Sequence, residues 1–285
     1  MSIGIDVYEG NGPIDWTKVI AAGVEFVGIR ACEGTRKDAR FASYRAALDA
    51  MHVPTFAWLF LRFEPTGPSP EDQGKCLIDV IEENGGENEY DLTPAIDLEF
   101  PAGQRPDEIT AGEALEWFLR CYTTVKAGLG GADPGVYTSQ EIWNDRDGMN
   151  QLSCGAELIG AWSWMKYWPY AQGDVAIYDP ATVNALAPPP VASPFAGNWQ
   201  MHQYMGDAVH FPGIPTEIDM NRMRVVKEGD HGGTVQWIQR KLKITDDGWF
   251  GPVTTSAVKS FQAARSLVVD GLVGVATTSC LSRVV

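Results

Sequence analysis

Eight short apolar, β-branched or aromatic runs punctuate the first 221 residues. They are Ile3–Tyr8, Glu25–Ala31, Thr55–Leu61, Thr93–Leu98, Gly135–Thr138, Leu158–Trp164, Trp199–Tyr204 and Glu217–Met220. Each has the length and composition of a strand. Apolar residues at helical spacing fill several of the gaps, most clearly Trp16–Ala22, Ala39–Met51, Glu71–Asn84 and Ala111–Ala127. Pro70 stands at the start of the third helix, and Thr110 is placed to cap the fourth. Strands alternating with helices make a parallel sheet, and eight of them close into a barrel. The helical signal thins after Ser139, so the expected fold is α/β, an irregular (β/α)8-type barrel.

The run from Ala187 to Pro194 is rich in proline and looks like an interdomain linker. The strand pattern resumes beyond it, so it reads instead as a surface loop of the barrel. The texture changes near Val226–Gly229. Past that point Val235, Ile238 and Leu242, then Ala257, Val258, Phe261 and Ala264, repeat at helical spacing. Two turns, Asp247–Gly251 and Asp270–Gly274, form a degenerate repeat 23 residues apart. The expected organisation is a barrel over 1–225 and a small all-α helical module over 226–285. A chain ending near Arg224 is expected to fold alone.

The net charge of −15 argues against nucleic acid as a partner. The charge is uneven: residues 1–226 hold 15 Lys/Arg against 32 Asp/Glu, and residues 227–285 hold seven against five. Two parts with different tasks would explain the split; so would acidic residues that merely keep the larger part soluble. The five cysteines, Cys32, Cys76, Cys121, Cys154 and Cys280, are scattered without a CxxC pair. They suggest neither a disulfide framework nor a zinc site, and fit a reducing compartment. The four histidines form no HExxH pair, which disfavours a zinc peptidase or amidase. No metal or organic cofactor is implied. Residues 1–6 have no basic segment followed by an apolar run, and no stretch approaches the ~20 apolar residues of a membrane span.

Carboxylates stand where chemistry would need them. Asp97 and Glu99 end the fourth strand, project to the same side and lie about 7 Å apart along it. Asp6 ends the first strand and Asp219 the eighth, which are neighbours in a closed barrel. Barrel enzymes work at the C-terminal ends of their strands, and glycosidic cleavage needs an acid plus a group that stabilises or attacks the oxocarbenium-like carbon. Each acidic residue alone could equally solvate a loop or cap a helix. The four together point to one site.

The motifs resemble glycoside hydrolase family twenty-five, the Chalaropsis-type lysozymes. The matching residues are Gly4-Ile-Asp6, Asn11-Gly12, Ile14-Asp-Trp16, Ala22-Gly23, Phe26, Arg30 and Glu33-Gly34. They continue with Asp97-Leu-Glu99, Tyr137-Thr138, Trp162 through Tyr167, Gln203-Tyr204, Gly213-Ile214 and Asp219-Met-Asn221. The resemblance implies a muramidase that hydrolyses the β-1,4 bond after N-acetylmuramic acid with net retention. It makes Glu99 the general acid and Asp6, Asp97 and Asp219 the other active-site carboxylates. It leaves open whether a carboxylate or the sugar's acetamido group is the nucleophile. Tyr137, Tyr167, Gln203, Tyr204 and Arg30 are implied substrate contacts, although barrel packing is an equal reading for the tyrosines. One departure stands out. Many members carry Gly-x-Tyr-His/Phe at the end of the third strand, where this chain reads Ala57-Trp-Leu-Phe60; Trp58 would then stack on the sugar.

Residues 227–285 resemble the peptidoglycan-binding domain attached to wall hydrolases. The match runs through Gly229-Asp230, Val235, Gln239, Leu242, Asp247–Thr254, Ala257-Val258, Phe261-Gln262, Leu267, Asp270-Gly271, Gly274 and Thr277. Trp249 is the candidate wall contact. The whole then reads as an endolysin-like monomer, made in a host cytoplasm and acting on bacterial peptidoglycan after release, without membrane insertion. Two alternatives remain: a non-catalytic wall-binding protein on a glycosidase scaffold, and a chitinase-like β-glycosidase.

Overall fold

A computed structural model describes residues 1–88, 91–100, 107, 109–143, 155–191, 195 and 197–285. Nine strands occur among them: β1 (Ser2–Val7), β2 (Val24–Glu33), β3 (Arg36–Lys37), β4 (Thr55–Phe60), β5 (Ala95–Asp97), β6 (Gly135–Thr138), β7 (Ser163–Lys166), β8 (Met201–Ala208) and β9 (Ile218–Met223). Eight of them close a ring in the order β1, β9, β8, β7, β6, β5, β4, β2 and back to β1, while β3 hangs from β2 as a hairpin. Helices α1 (Trp16–Ala21), α2 (Phe41–Ala50), α3 (Pro70–Glu83), α4 (Ala111–Gly128), α5 (Gln140–Trp143), α6 (Gly155–Leu158) and α7 (Pro180–Ala185) accompany it. The short α5, α6 and α7 match the thin helical signal after Ser139.

Local chemistry sets the helix starts. Ser69 caps α3, accepting from the Asp72 N–H, with Pro70 at the first helical position, where no N–H is needed. Thr110 and Glu113 form a reciprocal capping box on α4. The expected strand Leu158–Trp164 is displaced: Leu158 belongs to α6, and β7 runs on to Lys166. The largest departure is β9. It is antiparallel to both β1 and β8, whereas the other barrel neighbours are parallel. Asp219 therefore opens its strand rather than ending it, and that opening lies at the C-terminal pole of the others. The described part of the proline-rich run belongs to the barrel. Arg222 of β9 donates to the carbonyls of Val183, Leu186 and Ala187 at its approach.

Aromatic side chains fill the barrel. Phe56 meets Trp162 and Trp164 edge-on at 5.4 and 5.2 Å, and Tyr137 meets Trp164 at 4.5 Å. Strand glycines make room for them. A Cβ on Gly4 would lie 2.3 Å from the Phe26 ring, and one on Gly135 2.2 Å from Trp162.

This interior continues without a break into the C-terminal helices α8 (Gly233–Lys241), α9 (Pro252–Ala264) and α10 (Val275–Ser282). One hydrophobic cluster joins Phe26, Phe56, Trp162, Met201 and Met223 to Val235, Trp237, Ile238 and Leu281. Trp237 donates to the Gly160 carbonyl at 2.9 Å, the Trp199 N–H to Thr234 Oγ1 at 3.0 Å, and the Thr93 N–H to Ser282 Oγ at 3.3 Å. Lys241 pairs with Asp133 at 3.3 Å, and Arg283 with Glu87 at 2.8 Å. Thr93, Asp133, Gly160 and Trp199 all precede their strands. The helical module thus covers the N-terminal pole of the barrel, opposite the strand ends that carry the carboxylates. A shared core of this kind runs against separate folding of residues 1–224.

Candidate active site

Strand register brings the carboxylates together. Asp6 lies directly across from Asp219 in the β1–β9 pair. Phe60, Asp97 and Tyr137 lie side by side across β4, β5 and β6, and Lys166 sits beside Gln203 across β7 and β8. At this pole opens a cleft of about 400 Å³, lined by all four expected carboxylates, Asp6, Asp97, Glu99 and Asp219. Trp58, Tyr137, Gln203 and Arg30 line it as well.

Gln203 organises the floor. Its Oε1 accepts from Tyr137 Oη at 2.7 Å and Trp168 Nε1 at 3.1 Å. Its Nε2 donates to Asp6 Oδ2 at 3.1 Å and Asp219 Oδ2 at 3.2 Å. Every hydrogen-bonding capacity of the amide is used, so its orientation is fixed. A second relay runs from Trp164 Nε1 to Asn221 Oδ1 at 2.7 Å, and from Asn221 Nδ2 to Asp6 Oδ2, also at 2.7 Å. Asp219 Oδ1 accepts from the Asp207 N–H at 2.8 Å.

Burial dominates the electrostatics. It pushes Asp6 up to about 7, against the hydrogen bonds from Asn221 and Gln203. It also holds Asp97 and Asp219 well above the usual carboxylate range, helped by Glu99 beside Asp97 and by Asp6 beside Asp219. Glu99 is more open, and its Oε2 accepts from Lys166 Nζ at 3.2 Å. Lys166 in turn lies over the Trp168 ring at 4.6 Å. Two buried polar atoms of the cleft have no partner among the described residues: Asp97 Oδ1, an acceptor, and Trp58 Nε1, a donor. Such atoms are costly unless something pairs with them.

Two expected substrate contacts lie elsewhere. Tyr204 points out of the barrel, with its hydroxyl on the Ile177 carbonyl. Adjacent strand residues face opposite ways, so Gln203 turned inward requires Tyr204 turned outward. Tyr167 does not line the cleft; it is exposed and stacks on His202. Trp249, expected on the helical module rather than in the cleft, is half-exposed there. Arg30 is at the cleft, but its guanidinium is already engaged by Asp38 at 3.1 Å and Glu33 at 3.4 Å, and lies over Tyr8 at 4.6 Å. The structure adds Tyr8, Asp207 and Lys166, which sequence reading missed. Lys166 ends β7, so the strand-end rule would have found it had the strand not been stopped at Trp164. Asp207 sits in an irregular stretch of β8 with φ of 50°, a local departure that no residue pattern announces.

The pattern of the glycosyl hydrolases family 25 matches residues 5–214. The chain belongs to this family. It is a glycoside hydrolase, and its C-terminal residues 231–281 match the peptidoglycan binding domain family. This family 25 chain is 27% identical over 226 residues to lysozyme M1 of Streptomyces globisporus, a match spanning 77% of the chain and 66% of that enzyme, just under two thirds. It is 24% identical to the autolytic lysozyme of Clostridium acetobutylicum over 99% of the chain and 79% of the relative. Its fold is that of the bacterial lysozyme from Streptomyces coelicolor, with a TM-score of 0.61 at 24% identity, covering 78% of the chain and 92% of that structure.

Proposed function

We propose that this chain is a muramidase of endolysin or autolysin type, cutting the β-1,4 bond between N-acetylmuramic acid and N-acetylglucosamine with net retention. The observation that carries the reading is the convergence of Asp6, Asp97, Glu99 and Asp219 in one cleft of a family 25 barrel. Glu99 protonates the departing glycosidic oxygen and, in the second half of the reaction, takes a proton from the attacking water. Lys166 holds Glu99 at the cleft wall until the substrate arrives. Asp97 and Trp58 supply the unpaired acceptor and donor that an acetamido group complements, its N–H to Asp97 Oδ1 and its carbonyl from Trp58 Nε1. An acetamido group so held is aimed at the sugar's reacting carbon. Asp6 and Asp219, bridged by Gln203, turn carboxyl oxygens toward the place where the oxocarbenium-like carbon develops. The helical module keeps the enzyme on peptidoglycan, with Trp249 as its exposed contact.

The test is Glu99→Gln, which keeps the shape and removes the proton. Clearing of purified sacculi should slow by at least about a hundredfold, with the melting temperature unchanged. The wild-type enzyme should leave N-acetylmuramic acid at each new reducing end. Near-normal lysis by the variant would remove Glu99 from its role, and N-acetylglucosamine at the new ends would overturn the choice of bond.

A further inference from the structure

Two of the five cysteines, 44 positions apart, meet in the fold. Cys32 lies near the end of β2 and Cys76 on the face of α3 that packs against it. Their sulfur atoms are 2.8 Å apart, and both residues are buried. A disulfide needs ~2.05 Å, so closing the pair asks less than an ångström of movement between two elements already in contact. We propose that Cys32 and Cys76 form an oxidation site that a small-molecule disulfide converts into a cross-link between β2 and α3.

The surroundings distinguish the two thiols. Cys76 is the slightly exposed one, whereas Cys32 is fully buried. The S–H of Cys32 stabilises a thiolate on Cys76, with Lys37 adding to the effect, so the Cys76 thiol is held below its usual range. Cys32 is pushed up by that same neighbour and by burial. Cys76 is therefore the attacking sulfur. Its thiolate attacks the oxidant's disulfide, forms a mixed disulfide and expels one small thiolate. Cys32 then gives its proton to that thiolate, and its sulfur attacks Cys76 Sγ, displacing the second small thiolate, which takes up from solvent the proton that Cys76 released. Two protein thiols are oxidised and one small disulfide is reduced to two thiols. The bridge encloses β3, α2 and β4, so it removes freedom from a long stretch of the unfolded chain. A chain synthesised with free thiols would thus be strengthened on meeting an oxidising environment.

The full-length protein is equilibrated with glutathione disulfide or with dithiothreitol, denatured, alkylated and mapped by mass spectrometry. The expected oxidised protein carries three alkylated cysteines and one peptide joining Cys32 to Cys76. Its melting temperature exceeds that of the reduced protein by about 5 °C or more. Cys76→Ser should abolish both the cross-linked peptide and the redox-dependent shift. Alkylation of all five cysteines after oxidation would overturn the proposal, as would a bridge from Cys32 or Cys76 to any other cysteine in the wild-type chain.

Discussion

Asp6 is buried at the floor of the cleft, and its proton affinity reflects that burial. Its folded-state value of about 7 stands above the ordinary aspartate value of 3.8, so folding takes up a proton in between. Stability from this group is full below about 4, declines as pH rises through that window and is lost above about 7. Asp6→Asn keeps an acceptor for Asn221 and Gln203 but carries no charge. At pH 8 the variant should melt at least about 3 °C above the wild type, and near pH 4 the two should melt together. Thermal melts at both pH values check this, and a constant difference across pH would show that burial of the charge is not the cause. The same positions show what a sequence can reveal. Asp6 and Asp97 were legible because strand-end placement suffices to aim them, whereas Tyr137 and Gln203 were legible only through the family resemblance. Tyr204 was misplaced although alternation alone excludes it once Gln203 faces inward. Tyr167 was misplaced because the end of β7 was set two residues short.

Among the elements, the direction of β9 was the hardest to read. Its carboxylate pattern fits a strand ending in Asp219 as well as one beginning near it. The deciding fact is the connection: only nine residues separate β8 from β9, too few for the crossover that a parallel neighbour needs. The helical repeat was legible as paired Asp-Gly turns, but the residue that builds each turn was not. Gln239 Nε2 donates to Asp247 Oδ1, the Trp249 carbonyl and Thr254 Oγ1, while its Oε1 accepts from the Gly248 N–H. Gln262 repeats every one of these bonds with Asp270, Leu272, Thr277 and Gly271. Gly248 and Gly271, at φ of 74° and 81°, occupy the left-handed conformation the turn requires. Gln262→Ala should strand the Gly271 N–H in a buried place and take a donor from Thr277 Oγ1 and the Leu272 carbonyl. A loss of about 2–4 kcal/mol in unfolding free energy is expected, read by urea titration. Lys259→Ala, one turn away on an exposed face, should cost less than about 0.5 kcal/mol. Equal effects would mean that the turn is not held by the glutamine.

At the scale of the whole molecule, the question is whether the barrel can do without its helical floor. Sequence texture marks a boundary near residue 226, and texture says nothing about contact across it. In the fold, Val235, Trp237, Ile238 and Leu281 are buried in the cluster that holds Phe26, Trp162 and Met201. Burying one such side chain is worth roughly 1.5–3 kcal/mol, and a whole protein is stable by only about 5–15 kcal/mol. Removing the floor also takes away Lys241 from Asp133 and Arg283 from Glu87 and the Asp91 carbonyl. Glu87, whose burial already pushes it up to about 7, would lose its guanidinium partner. A chain ending at Arg224 is therefore expected to melt at least about 15 °C below the full chain, and to lose activity on soluble muropeptide oligomers as well as on sacculi. Trp249→Ala in the full chain provides the contrast, because Trp249 is half-exposed and outside the shared core. It should keep its melting temperature and its rate on soluble oligomers while binding sacculi less well. Melting curves and both assays on the two proteins decide the matter. A shortened chain with full-length stability and oligomer activity would make the floor dispensable, and the module's part in this enzyme would then be wall attachment alone.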